Sequence, residues 1–102
     1  MKTAIPIPME AITTFCEKWG IVRFELFGSV LRDDFDEKSD VDTLVTFDDR
    51  TEWSLFDLAC MKVELEALFG RNVDIVERAA IINPYRRLSI FRTAQTIYAR
   101  AS

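Results

Sequence analysis

A mixed α+β domain, with a small β-sheet of three to four strands packed with helices, is what this sequence predicts. Three observations point there. Apolar residues recur at helical spacing over 9–19 and 54–69; short apolar and β-branched runs stand at 21–27, 41–47 and 72–76; glycine or proline punctuates the joins. The order is helix, strand, short turn, strand, helix, strand, helix, which a small mixed sheet covered by helices accommodates.

Pro6 and Pro8 bracket an extended start, and Pro8 suits a first helical turn. From Met9 to Trp19, Ile12, Phe15, Cys16 and Trp19 fall on one face, and Gly20 fits the residue just past the helix. Residues 21–27 read as a strand with Val22, Phe24 and Leu26 on one side, stopping at Gly28. Ser29 to Arg32 is expected as a short helical turn, and Asp33 to Ser39 as a polar loop anchored by Phe35. Val41 to Phe47 is a second strand. A helix follows over Ser54 to Phe69, capped by Ser54 and ended by Gly70. Its apolar arc joins Phe56, Ala59, Cys60, Val63 and Ala67 to Leu58, Met61, Leu65 and Leu68, wide enough to predict a helix held between the sheet and another element. Asn72 to Val76 is a third strand, Asn83-Pro84 opens a last helix through Tyr85, Leu88 and Ile90, and Thr96 to Ala99 is a short edge strand.

At 102 residues, one domain spanning 1–102 is expected. Hydrophobic residues at 49% and charged residues at 29% exclude wholesale disorder. No apolar run approaches the ~18 residues of a membrane span, and Met1 to Pro6 lacks the apolar block of a signal peptide, so a cytoplasmic protein without membrane contact is expected. The chain has no histidine, which excludes Ser-His-Asp and Cys-His machinery and imidazole zinc sites. Cys16 and Cys60 are too far apart for a CxxC pair and are expected as buried small hydrophobes. A net charge of −4 argues against gripping phosphate backbones, so no direct nucleic-acid binding is expected. Carboxylate chemistry with a hard, oxygen-loving metal remains.

Three features carry that chemistry. Phe27-Gly28-Ser29 closes a strand and opens a turn, where glycine admits close backbone approach and Ser29 adds a hydroxyl; alone, it is only a turn. Asp40-Val41-Asp42 starts the next strand, so its two carboxylates share a face with Cα atoms ~6.6–6.8 Å apart, either as cation ligands or as a solvated loop end. Asp74 lies inside Asn72-Val73-Asp74-Ile75-Val76, where it is metal-bound, paired with an arginine, or on the wet side of an edge strand. Together, a phosphate-receiving turn and three carboxylates match what metal-assisted nucleotidyl transfer requires. Arg32 either reaches a triphosphate or pairs with Asp33 or Asp34. Arg86 and Arg87 read as surface charges, and Trp53 as a packing residue or a contact for a base or partner.

Gly28-Ser29, ten residues, then Asp40-Val41-Asp42 and a later Asp74 resemble the nucleotidyltransferase fold shared with DNA polymerase β. The longer string Phe27-Gly28-Ser29-Val30-Leu31-Arg32, with Ser39-Asp40-Val41-Asp42, Leu44-Val45 and Asn83-Pro84-Tyr85, resembles the minimal nucleotidyltransferase (MNT) family from about residue 9 to residue 99. The chain departs from it at Asp33, where many members have glycine, and at Thr43, often aliphatic, which touches only packing. The resemblance implies Gly28 and Ser29 at the triphosphate of ATP. It implies Asp40 and Asp42 as ligands of magnesium, with two ions in the site. Asp74 would be a third catalytic and metal-binding carboxylate that orients or deprotonates the acceptor hydroxyl.

Members of the family are commonly antitoxins paired with a HEPN-domain RNase toxin and act by transferring AMP from ATP to a toxin tyrosine. That activity, and a HEPN toxin partner, is therefore the leading expectation. Related antibiotic-modifying enzymes carry a second domain for the acceptor; here the acceptor surface is expected from another protein or from self-association, as a homo- or hetero-oligomer. Two alternatives stand beside it: an antitoxin that masks its toxin by binding alone, and a nucleotidyltransferase acting on a small molecule or an RNA end.

Overall fold

The computed structural model describes residues 6–28 and 39–100. Helix α1 (Met9–Trp19) leads into β1 (Ile21–Phe27), then come β2 (Val41–Phe47), α2 (Leu55–Phe69), β3 (Val73–Glu77), α3 (Pro84–Thr93) and β4 (Gln95–Ala99). One 3-10 turn, Arg78–Ala80, links β3 to α3. The sheet order is β3-β2-β1-β4, with β1 antiparallel to both β2 and β4, and β2 parallel to β3. The parallel pair requires a crossover, and α2 supplies it. The α+β class and its mixed sheet are those the sequence predicts, with four strands among the described residues. The predicted turn at Ser29–Arg32 and the loop from Asp33 through Lys38 lie outside the described residues.

The larger core lies on the face covered by α1 and α2, where Ile12, Phe15, Cys16, Phe24, Leu26, Val41, Val45, Met61, Leu65 and Val73 are buried. Each such aliphatic or aromatic side chain contributes about 1.5–3 kcal/mol by leaving water. A smaller cluster on the opposite face joins Phe27 and Leu44 to Ile81 and Ile90, and so seats α3. Beside it, Glu25 is buried within β1, its Oε1 accepting from Arg78 at 2.7 Å and lying 3.1 Å from Arg23 Nε. Arg78 also stacks on the Phe91 ring at 3.8 Å, so this buried carboxylate fastens the 3-10 turn to the sheet.

Several expectations shift. The sequence places Val22 with Phe24 and Leu26, but the pairing slips between Ile21 and Arg23, and Ile21 is the residue buried beside them. A bulge puts one extra residue on β1 and reverses which side the strand's start presents. Strand β3 runs one residue later than expected, and β4 starts one residue earlier. Pro8 stands just ahead of α1, its carbonyl accepting from the Ile12 N–H at 2.9 Å.

Helix α2 departs most from expectation. Met61 and Leu65 are buried, whereas Phe56 is 76% and Val63 65% exposed, so among the described residues only the sheet side of the helix is covered. Cys60, predicted buried, lies half-buried on the uncovered side, while Cys16 is fully buried as predicted. Trp53 packs, with its ring edge-to-face on Trp19 at 5.2 Å and its Nε1 donating to the Trp19 carbonyl at 2.9 Å.

Candidate active site

The site is assembled where three neighbouring strands begin or end. Strand β1 closes at Phe27 and Gly28, β2 opens just after Asp40, and β3 opens just before Asp74. Phe27 pairs across the sheet with Asp42, and Asp42 with Asp74. Adjacent strands lie about 4.8 Å apart and residues in register point to the same side, so Asp42 and Asp74 emerge next to one another. Their sequence neighbours Val41 and Val73 are both 0% exposed and anchor the opposite side in the main core. That alternation turns the two carboxylates away from the core, onto the side where α3 packs. Asp40, two residues before Asp42, is exposed, and Asp42 is half-buried.

Gly28 has φ +75°, a left-handed conformation that side chains resist. A Cβ built there would also collide with the Asp42 carboxylate. The bare Cα is thus what leaves that carboxylate its space, a closer coupling of glycine and aspartate than a turn requires. Ser29 and Arg32 lie outside the described residues.

Asp74 resolves two of its alternatives. It stands on an edge strand with its side chain 57% exposed, and among the described residues its ionic partner is a lysine: Lys62 Nζ lies 3.8 Å from Asp74 Oδ1. Two residues at the site escape a reading of the sequence. Thr43 is fully buried and its Oγ1 donates to the Asp74 carbonyl at 2.8 Å, so it does more than pack: it ties β2 to the backbone that carries Asp74. Lys62, which the sequence does not single out, sends its side chain from α2 to the edge of β3 and donates to the Val73 carbonyl at 2.6 Å.

Among the described residues, no three acidic or thiol side chains are drawn together tightly enough to hold a metal ion. Register brings Asp42 and Asp74 together, with Asp40 next along the strand. The donor set is all oxygen, of the type that hard divalent cations take, and the space kept open beside Asp42 by Gly28 fits such a ligand group. No described helix is long and apolar enough to cross a membrane.

Comparison with known proteins agrees with the fold. A family model described as a nucleotidyltransferase domain matches residues 8–97. A protein of Methanocaldococcus jannaschii, provisionally named a protein adenylyltransferase, is 34% identical over 74 residues, covering 72% of this chain and 74% of that one. Protein adenylyltransferase MntA of Thermococcus cleftensis is 37% identical over 65 residues, or 64% of each chain. A solved structure described as a candidate minimal nucleotidyltransferase superposes with a TM-score of 0.69 at 39% identity, covering 85% of this chain and 86% of that one. A solved toxin–antitoxin complex with AMP-PNP contains a chain matching at TM-score 0.72 and 14% identity, covering 91% and 74%, a likeness of fold alone.

Proposed function

The chain belongs to the nucleotidyltransferase domain family, and from that premise we propose that it is an antitoxin that transfers AMP from Mg-ATP to a tyrosine hydroxyl of a HEPN-domain RNase, neutralising it. The observation that carries the reading is the register of Asp42 against Asp74 beside the left-handed Gly28. The names of its relatives support the reaction class: two are called protein adenylyltransferases. The HEPN partner is supported by a fold neighbour described as a tri-AMPylated Shewanella oneidensis HEPN toxin in complex with an MNT antitoxin.

In this reading Gly28 and Ser29 receive the triphosphate, and Arg32 adds a charged contact to it. Asp40, Asp42 and Asp74 would hold two magnesium ions, which when bound would neutralise charge on the triphosphate and the leaving group. The acceptor oxygen attacks the α-phosphorus in line, the new O–P bond forms as the bond to the bridging oxygen breaks, and pyrophosphate leaves with that electron pair. Asp74 orients the acceptor hydroxyl and takes its proton. Because the chemistry needs little from the protein beyond position and charge, the rigidity of the paired strands is the main contribution of the fold.

Intact-mass spectrometry of the co-expressed HEPN partner after incubation with Mg-ATP tests this. The expected result is a mass increase by whole AMP units, abolished in the Asp40→Asn/Asp42→Asn variant together with neutralisation. An unmodified partner, still inhibited by that variant, overturns the reading in favour of masking by contact. Consumption of ATP only when a small molecule or RNA is added assigns the chain to a different acceptor.

A further inference from the structure

We propose that Lys62 is a positioning residue that sets how strongly Asp74 attracts a divalent cation, an inference that rests on the reading of Asp74 as a metal-binding carboxylate. Lys62 belongs to α2, which packs on the side of the sheet opposite Asp74, and its side chain passes the open edge of β3. Among the described residues, three oxygens surround its ammonium: the Val73 carbonyl at 2.6 Å, Glu66 Oε2 at 3.6 Å and Asp74 Oδ1 at 3.8 Å. Glu66 Oε2 also accepts from the Val73 N–H at 3.3 Å. One helical turn of α2 thereby satisfies both outward-facing backbone groups of Val73, the residue before Asp74.

The short bond to the carbonyl moors the ammonium, and the two longer contacts are ionic rather than hydrogen bonds. Lys62 therefore divides one positive charge between Glu66 and Asp74 without being able to follow either. A cation approaching Asp74 meets that charge. At such separations, in water-like surroundings and moderate salt, the repulsion of a divalent ion by a neighbouring ammonium amounts to roughly a fivefold to tenfold loss of affinity. Glu66 works in the opposite sense, because it draws the ammonium away from Asp74. The helix thus carries a pair of residues that adjust the pull of a carboxylate on the far side of the strand.

Binding of Mn2+ to the full chain, followed by the electron paramagnetic resonance signal of the free ion, tests this directly. Lys62→Met is expected to tighten Mn2+ binding about fivefold and Glu66→Gln to weaken it, while Lys62→Arg stays near the parent value. Added salt should shrink all of these differences. Unchanged or weaker binding by Lys62→Met with native circular dichroism overturns the inference, since a merely structural lysine would leave the metal affinity alone. If Lys62→Met fails to fold, Glu66→Gln decides by itself: unchanged or tighter binding refutes the proposal. Asp74→Asn separates the two levels. If it leaves Mn2+ binding unaltered, the reading of Asp74 as a ligand fails; if it weakens binding while Lys62→Met does nothing, only the role of Lys62 fails.

Discussion

Gly28 and Gly70 share nearly the same backbone, φ +75° and +70°, but differ in what surrounds them. Nothing stands near the missing side chain of Gly70, whereas at Gly28 a methyl group would strike the Asp42 carboxylate. Gly70→Ala should therefore cost about 1–2 kcal/mol in urea denaturation and leave nucleotidyl transfer intact. Gly28→Ala should cost at least as much and also lower the transfer rate by about 10²-fold, because the carboxylate must move. Equal activities in the two variants would remove Gly28 from the site. The glycine and the alternation of Asp40 with Asp42 are legible in the sequence because both are local. Thr43 and Lys62 are not, since their contacts with Asp74 and Val73 exist only once β3 is laid against β2 and α2 is folded back over it.

Helix α2 shows where periodicity informs and where it stops. Its ends are written locally: the Ser54 hydroxyl accepts from the Asp57 N–H at 3.2 Å, the Asp57 carboxylate accepts from the Ser54 N–H at 2.9 Å, and Gly70 closes the far end in the left-handed region. Ser54→Ala should lower stability by about 1 kcal/mol, measured as a shift of the urea midpoint at constant slope. The apolar arc, by contrast, says only that the helix could be covered on two sides. Which side meets the sheet is decided by the crossover between β2 and β3, a pairing between distant segments. The same holds for β1, where alternation is correct from Phe24 onward and fails at the bulge, a feature set by the partner strand. Glu25 gives no local signal either; it reads as an outward residue until Arg78 arrives to pair with it.

At the scale of the whole molecule, the two ends of the pH range act through different groups. Burial pushes the Cys16 thiol up to about 12, with Glu17 adding to the effect. The unfolded chain releases that proton near 9.0 and the folded chain does not, so the protein loses stability as pH rises from about 9 toward 12. Cys16→Ala should flatten that alkaline loss in thermal melts, and at pH 8 iodoacetamide should label Cys60 while sparing Cys16 until the fold opens. Asp48 acts in the acid range: the Arg50 backbone N–H and the Arg100 guanidinium hold its carboxyl below the usual value. Its contribution is present above that value and disappears as pH falls through the lowered one, which Asp48→Asn should abolish. The strand order matters for access as well. The margin of the sheet nearest Asp74 is plugged by two helix-borne side chains that already occupy the donor and acceptor an added strand would need at its first rung. If the acceptor is a protein, as proposed, it cannot zip onto that margin at this rung and would offer its hydroxyl on a protruding side chain instead.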